Sequence, residues 1–430
     1  MPVPPAPAPA EAPDRRWLVQ LGLLVALGVA LRAAYVLLVV AHTKPGLDAV
    51  WYTLQGGAIG DGKGYVVPTS LFAERTVPTA GFPPVYPAYQ AAWQWLFGGG
   101  PTSVRLAGVV PGAATVALAG VLGRRALGAR AGLLAAAIVA VDPILLAVDG
   151  AAMSESATVP LVLAAVVVGH RIATDGVRAG RVVALGLLCG VAALSRQDLL
   201  LLLPLVAVPA LAWAPDVARL RRVAAGAVVV LLAAVVVVPW AWRNHREVDA
   251  FTVSTLSPSS VLAGSNCAQV YGGPDLGSWS FPCVAAVGVP AGAPEAELAS
   301  AQQHAGLAYA RHHAGRLPLV VAARQARVWS LWDPRDLARR DAEESRRYGW
   351  QLVARPIEAG MALVGVTGLA LLVRRRGRVA LLALVPVALV VVTATITYGN
   401  PRFASISHPV LALGVAYLVS VGSFRARASR

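Results

Sequence analysis

The sequence is poor in charge: 14% of its 430 residues are Asp, Glu, Lys or Arg, against 57% hydrophobic. Too little polar side chain is left to cover a water-soluble domain, and several apolar windows of about 20 residues can cross a hydrocarbon core of roughly 30 Å. Cysteine is also scarce, with three residues, and no histidine stands near Cys267 or Cys283 at ligand spacing, which argues against a metal site. A small-residue cleavage site is missing after the first apolar run, so that run is read as a retained span rather than a signal peptide. "GAIGDGKG" at 57–64 lacks the Ser or Thr that a phosphate-binding loop needs after its lysine, because Gly64 follows Lys63. No internal repeat is visible either.

What is present is a series of spans. Apolar segments near 17–40, 101–121, 131–148, 151–170, 181–196, 198–214, 223–242, 354–373, 379–397 and 405–423 predict an all-α polytopic protein of about ten transmembrane helices. The net charge of +15 would suggest nucleic acid in a soluble chain, but here the arginines cluster in short connections such as "RRRGR" at 374–378, so they read as topology signals and no nucleic-acid partner is expected. These clusters place both termini in the cytoplasm. Residues 1–16, rich in Pro and Ala, are expected to be a disordered tail, and 424–430 a basic one.

The remaining organisation follows from this. Residues 17–243 form an N-terminal membrane module that includes an outer loop, 41–100; 244–353 form a second outer segment, and 354–423 the C-terminal helices. Cys267 and Cys283 flank a short loop in the second outer segment, where a disulfide would form in an oxidising compartment, whereas Cys189 lies in a span as a small buried hydrophobe. The stretch 317–332 could be an extra span, although Arg324 and Arg327 favour an interfacial amphipathic helix. "EESRR" at 343–347 reads as solvated surface, and the adjacent His312 and His313 cannot share a helix face.

Asp48 stands about eight residues beyond the first span, where a carboxylate can be partly desolvated beside a membrane-embedded substrate and act as a general base. It could equally cap the helix that follows, since Asp is a favoured N-cap. Other residues favour chemistry. Glu155 in "MSES" lies at the same edge, Arg32 is inside the outer part of the first span, Arg196 and Asp198 mark a charged kink, and Arg402 precedes the last span. Acids for a hydroxyl and arginines for a phosphate together suit glycosyl transfer from a lipid phosphate.

These residues carry a resemblance. "YTLQGGAIGDGKGY" after the acid, "GFPPVYPAYQAAWQWLFG", "MSES", "GVAALSRQD" and "YGNPRF" resemble the C-type (GT-C) membrane glycosyltransferases, in the branch of the protein O-mannosyltransferases and aminoarabinose transferases. "WRNHREVDAFTVST" and the cysteine loop are similar to the actinobacterial form. The resemblance implies a GT-C-like helical bundle with outer-face juxtamembrane helices and loops. It also implies inverting transfer of a sugar, mannose or a pentose such as arabinose, from a polyprenyl-monophosphate donor to an outer-face acceptor hydroxyl or amine, on a cell-envelope glycan, lipid or protein. Carried over, Asp48 is the base and Glu155 a second catalytic acid. Arg402 neutralises the leaving phosphate, with Arg196, Arg32 and Lys63 as weaker partners, while Tyr52, Tyr65 and Tyr86 line the sugar site. Neither cofactor nor metal is expected.

Two rivals share parts of this pattern. A polyprenyl-lipid flippase or transporter would also have many spans and buried arginines, but should show paired repeats. A ligase of the O-antigen type would centre its chemistry on a late loop, which the arginine-rich stretch from Arg324 to Arg347 could supply.

Overall fold

The computed structural model describes residues 14–290 and 292–428, so the Pro/Ala-rich start and the last two residues lie outside the described residues. The apolar runs fold as expected into helices. Seven are long and apolar enough to cross a membrane: Arg15–Val40, Pro101–Leu127, Glu155–Asp175, Arg219–Val248, Tyr348–Arg376, Arg378–Ile396 and Pro401–Val421. The other three expected spans differ for local reasons. Ala129–Val141 and Pro143–Asp149 form a pair bent by 58°, because Pro143 cannot continue the first helix and the Asp142 carboxylate caps the second, accepting from the amides of Ile144 and Leu145. Ala179–Ser195 and Gln197–Trp213 are shorter apolar helices, separated where Arg196 turns extended.

Close crossings hold the bundle. A Cβ on Gly368 would lie 2.1 Å from the Gly414 carbonyl, so the helices Tyr348–Arg376 and His408–Ala428 meet backbone to backbone, as small residues allow in membranes. Gly368→Leu should therefore lower stability by about 1–3 kcal/mol, read as a lower melting temperature in detergent. Gly360→Leu, where nothing lies within 4 Å, is the matched control and should leave the melt unchanged.

The two long connections gather at one end of the bundle and pack on each other. Arg243 donates to the carbonyls of Thr79 and Tyr65 at 2.6 Å each, and Glu295 accepts from the Thr79 hydroxyl at 2.9 Å. Cys267 and Cys283 are joined in a disulfide, and Cys189 is free and buried. The stretch 317–332 is not a span: its helix, Leu317–Val328, has 12 residues. Nor do its arginines face lipid. Arg324 donates to the carbonyls of Ser265 and Thr395, and Arg327 to those of Leu276 and Pro274 and to the Asp336 carboxylate, so both point into the protein.

Candidate active site

Asp48, Glu155 and Arg402 are far apart in the chain and meet at the loop-rich end. Asp48 lies in the first turn of Leu47–Gly60, Glu155 opens the helix Glu155–Asp175, and Arg402 sits in the turn Pro401–Ser407 that feeds the last helix. Asp48 does not cap its helix: Gly46 holds that position, and the carboxylate turns away to the arginine. Arg402 places Nη1 3.1 Å from Asp48 Oδ2 and 3.5 Å from Glu344 Oε1, and Nε 3.4 Å from Glu155 Oε1. Its Nη2 donates to the Tyr398 hydroxyl at 3.1 Å. One guanidinium thus serves three carboxylates.

Arg196 completes the pair of cations. It lies 3.7 Å from Glu155, is fixed by two 3.2 Å hydrogen bonds to Asp198, and rests its guanidinium on the Phe403 ring. Glu155 is 2% exposed; its Oε1 faces both arginines, and its Oε2 is buried with no hydrogen-bond partner. Asp48 keeps 38% of its side chain exposed. Protein crowds the remaining sides of this carboxyl and raises its pKa above the usual carboxylate range; the charges of Glu344 and Glu155 add to the rise, and Arg402 opposes it.

Several expected site residues lie elsewhere. Arg32, 1% exposed, pairs with Asp149 at 2.6 Å and donates to the carbonyls of Gly28, Ala140 and Val139, so its charge is satisfied inside the bundle and does not join the Arg402 cluster. Lys63 is exposed beside Asp61 at 3.9 Å. The three tyrosines are packed rather than open. Tyr52 stacks edge-on against Phe82 and Tyr86, Tyr86 accepts from Gln90, and the Tyr65 hydroxyl donates to the Phe82 carbonyl.

The "EESRR" segment is the largest departure. Glu344 accepts from Asn400 at 2.8 Å and from Arg346 at 3.0 Å, while Arg346, 1% exposed, also lies 3.5 Å from Asp341. From there buried charges continue inward. Asp341 pairs with Arg355 at 2.7 Å, Arg355 with Glu358, and His408 bridges Glu358 at 3.2 Å and Asp142 at 2.7 Å. Removing any one member would strand a buried charge.

Known proteins bear on this geometry. Residues 82–242 match the profile of the dolichyl-phosphate-mannose-protein mannosyltransferase family, a stretch that contains Glu155 and Arg196 but neither Asp48 nor Arg402. No curated protein matches the sequence. The fold is similar to the oligosaccharyltransferase of Archaeoglobus fulgidus in its apo form, with 14% identity, a TM-score of 0.57, and 96% of this chain and 52% of that chain covered. It is likewise similar to AglB of the same organism in complex with an inhibitory peptide and a dolichol-phosphate, at 14% identity and TM-score 0.53 over the same shares. ArnT from Cupriavidus metallidurans bound to undecaprenyl phosphate gives 17% identity and TM-score 0.47, over 96% of this chain and 79% of that one. This chain spans about half the length of the oligosaccharyltransferases it matches. Residues 82–242 thus resemble the mannosyltransferase family, and the chain shares the fold of these oligosaccharyltransferases along nearly its whole length.

Proposed function

We propose that the protein transfers a sugar from a polyprenyl-monophosphate donor to an acceptor hydroxyl, with inversion at the anomeric carbon, on the outer face of the plasma membrane. The observation that carries this reading is the meeting of Asp48, Glu155 and Arg402 at the loop-rich end of the bundle. Asp48 takes the proton of the acceptor hydroxyl as its oxygen attacks the anomeric carbon. The bond from that carbon to the phosphate oxygen breaks, and the electron pair leaves with the lipid phosphate. Arg402, with Arg196 behind Glu155, neutralises that departing charge. Glu155 accepts from the acceptor or the sugar through its unpartnered oxygen.

No divalent cation is part of the proposed reaction; Arg402 supplies the positive charge beside Asp48, Glu155 and Glu344. Arginines flanking the short connections orient both termini toward the cytoplasm. The name of the profile matched over 82–242, and the dolichol-phosphate held by AglB, make polyprenyl-phosphate mannose the first donor to try and the arabinose lipid the second. The acceptor is a glycan, lipid or protein of the cell envelope.

The test is transfer of radiolabelled sugar from synthetic polyprenyl-phosphate mannose or arabinose into membrane extracts by purified protein, with and without EDTA. Transfer from one of them, unaffected by EDTA, is expected; no transfer from either, with the lipid itself crossing a vesicle bilayer, would support the flippase reading instead. The pH profile is a second check. The base is the deprotonated form of Asp48, which fills only above its raised pKa, so activity should fall on acidification along a limb above the ordinary carboxylate value of about 4.

A further inference from the structure

Asp48 and Glu344 share Arg402 but are held differently. Glu344 is fixed on several sides: Oε1 accepts from Asn400 at 2.8 Å and lies 3.5 Å from Arg402, and Oε2 accepts from Arg346 at 3.0 Å. The turn that carries it is fixed too. Ser345 takes a left-handed φ of +72°, its hydroxyl accepts from the Gly46 amide at 2.7 Å, and its carbonyl accepts from Arg105 at 3.1 Å. Gly46 is required there, because a Cβ would meet the Glu343 carbonyl at 2.5 Å. Asp48 follows two residues later, yet among the described residues its carboxylate accepts one side-chain hydrogen bond, from Arg402.

We infer that Glu344 is a positioning residue for Arg402: it offers the guanidinium a fixed second carboxylate, so that the arginine leaves Asp48 for an arriving phosphate and frees Asp48 to take the acceptor proton. This rests on the glycosyl-transfer reading above. Arg402 Nη1 is committed to Asp48, and a carboxylate bonded to a guanidinium is a poor base. A lipid phosphate competes for the same N–H groups. Glu344, pinned by Asn400 and Arg346, keeps the arginine in place while its partner changes, and no covalent step is added. Donor therefore binds before the acceptor loses its proton. The groups facing Asp48 are Arg402 from the Pro401–Ser407 turn, Glu344 from the late segment and Glu155 from the helix behind; Tyr52 on its own helix and Tyr398 complete the surroundings.

The experiment compares Glu344→Gln and Glu344→Asp with wild type in the full-length protein, using whichever synthetic lipid-phosphate sugar wild type turns over. Glutamine removes a like charge near Asp48 and leaves Asp48 as the only carboxylate at Arg402 Nη1. The acid limb of kcat should then move to lower pH by about one unit, with kcat reduced about tenfold and the aspartate variant restoring both. A lower kcat with the limb unmoved would mean that Glu344 only supports the fold, and would overturn the inference. If Glu344→Gln does not fold, Asn400→Ala loosens the same carboxylate, and an unmoved limb there has the same meaning. Wild type that transfers sugar and loses it in Asp48→Asn, with no limb shift at Glu344, sinks the inference alone. Wild type without transfer removes the parent reading and the inference together.

Discussion

Asp48→Asn is expected to lower sugar transfer by about 10²- to 10⁴-fold, the range a positioned general base contributes. Asparagine keeps the shape of the side chain and still accepts from Arg402 through its amide oxygen, so the helix Leu47–Gly60 and the turn at Gly46 should be unchanged. What it loses is basicity. The effect should therefore appear in kcat, with the melting temperature close to wild type. Asp48 is half exposed, so exchanging its charge costs the fold little, whereas Glu155→Gln changes a fully buried ion-pair partner and should reduce stability as well as turnover.

Arg402→Ala should have the largest combined effect. It leaves Asp48, Glu155 and Glu344 facing one another without their common cation, and breaking a buried ion pair from one side costs about 3–5 kcal/mol. Tyr398 and the Phe403 ring lose the guanidinium they pack against as well. Transfer should fall steeply, because Arg196, 3.7 Å from Glu155, is then left to meet the phosphate charge without Arg402. Acidification offers a check on the cause. Protonating the stranded carboxylates relieves their repulsion, so the alanine variant should regain part of its lost stability as pH falls. Arg402→Lys keeps the charge but not the fork, and cannot span three carboxylates and a phosphate in turn. It should fold better than the alanine variant and remain nearly inactive.

The spans were legible because apolar length is a local property of the chain. Where local chemistry competes, length misleads: Pro143 bends one expected span, whereas the break at Arg196 falls at the expected charged kink. Asp48, Glu155, Arg196 and Arg402 stood out in a sequence with so little charge at the edges of its helices. Their partner Glu344 did not. Its run of Glu, Ser and Arg has the local charge density of a solvated surface, and its burial is decided by Gly46 and Arg105, hundreds of residues earlier. Arg32 is the opposite case. An intramembrane arginine is conspicuous in sequence, but the carboxylate that pairs with it, Asp149, lies at the end of a bent helix whose approach no spacing predicts. Aromatics near an acid fit a sugar platform or a packed brace from sequence alone, and the ring contacts of Tyr52 with Phe82 and Tyr86 are long-range packing that no spacing displays.

The most direct test of the account separates donor binding from turnover at Asp48. Labelled polyprenyl-phosphate sugar would be titrated onto purified wild type and Asp48→Asn, and single-turnover transfer followed in the same samples. The account predicts that the variant binds donor within a few-fold of wild type, since Arg402 still receives the phosphate, while transfer falls by the factor of about 10² or more that a lost base removes. Transfer retained in Asp48→Asn would contradict the assignment of the base, and with it the claim that this cluster of acids and arginine is where the chemistry occurs.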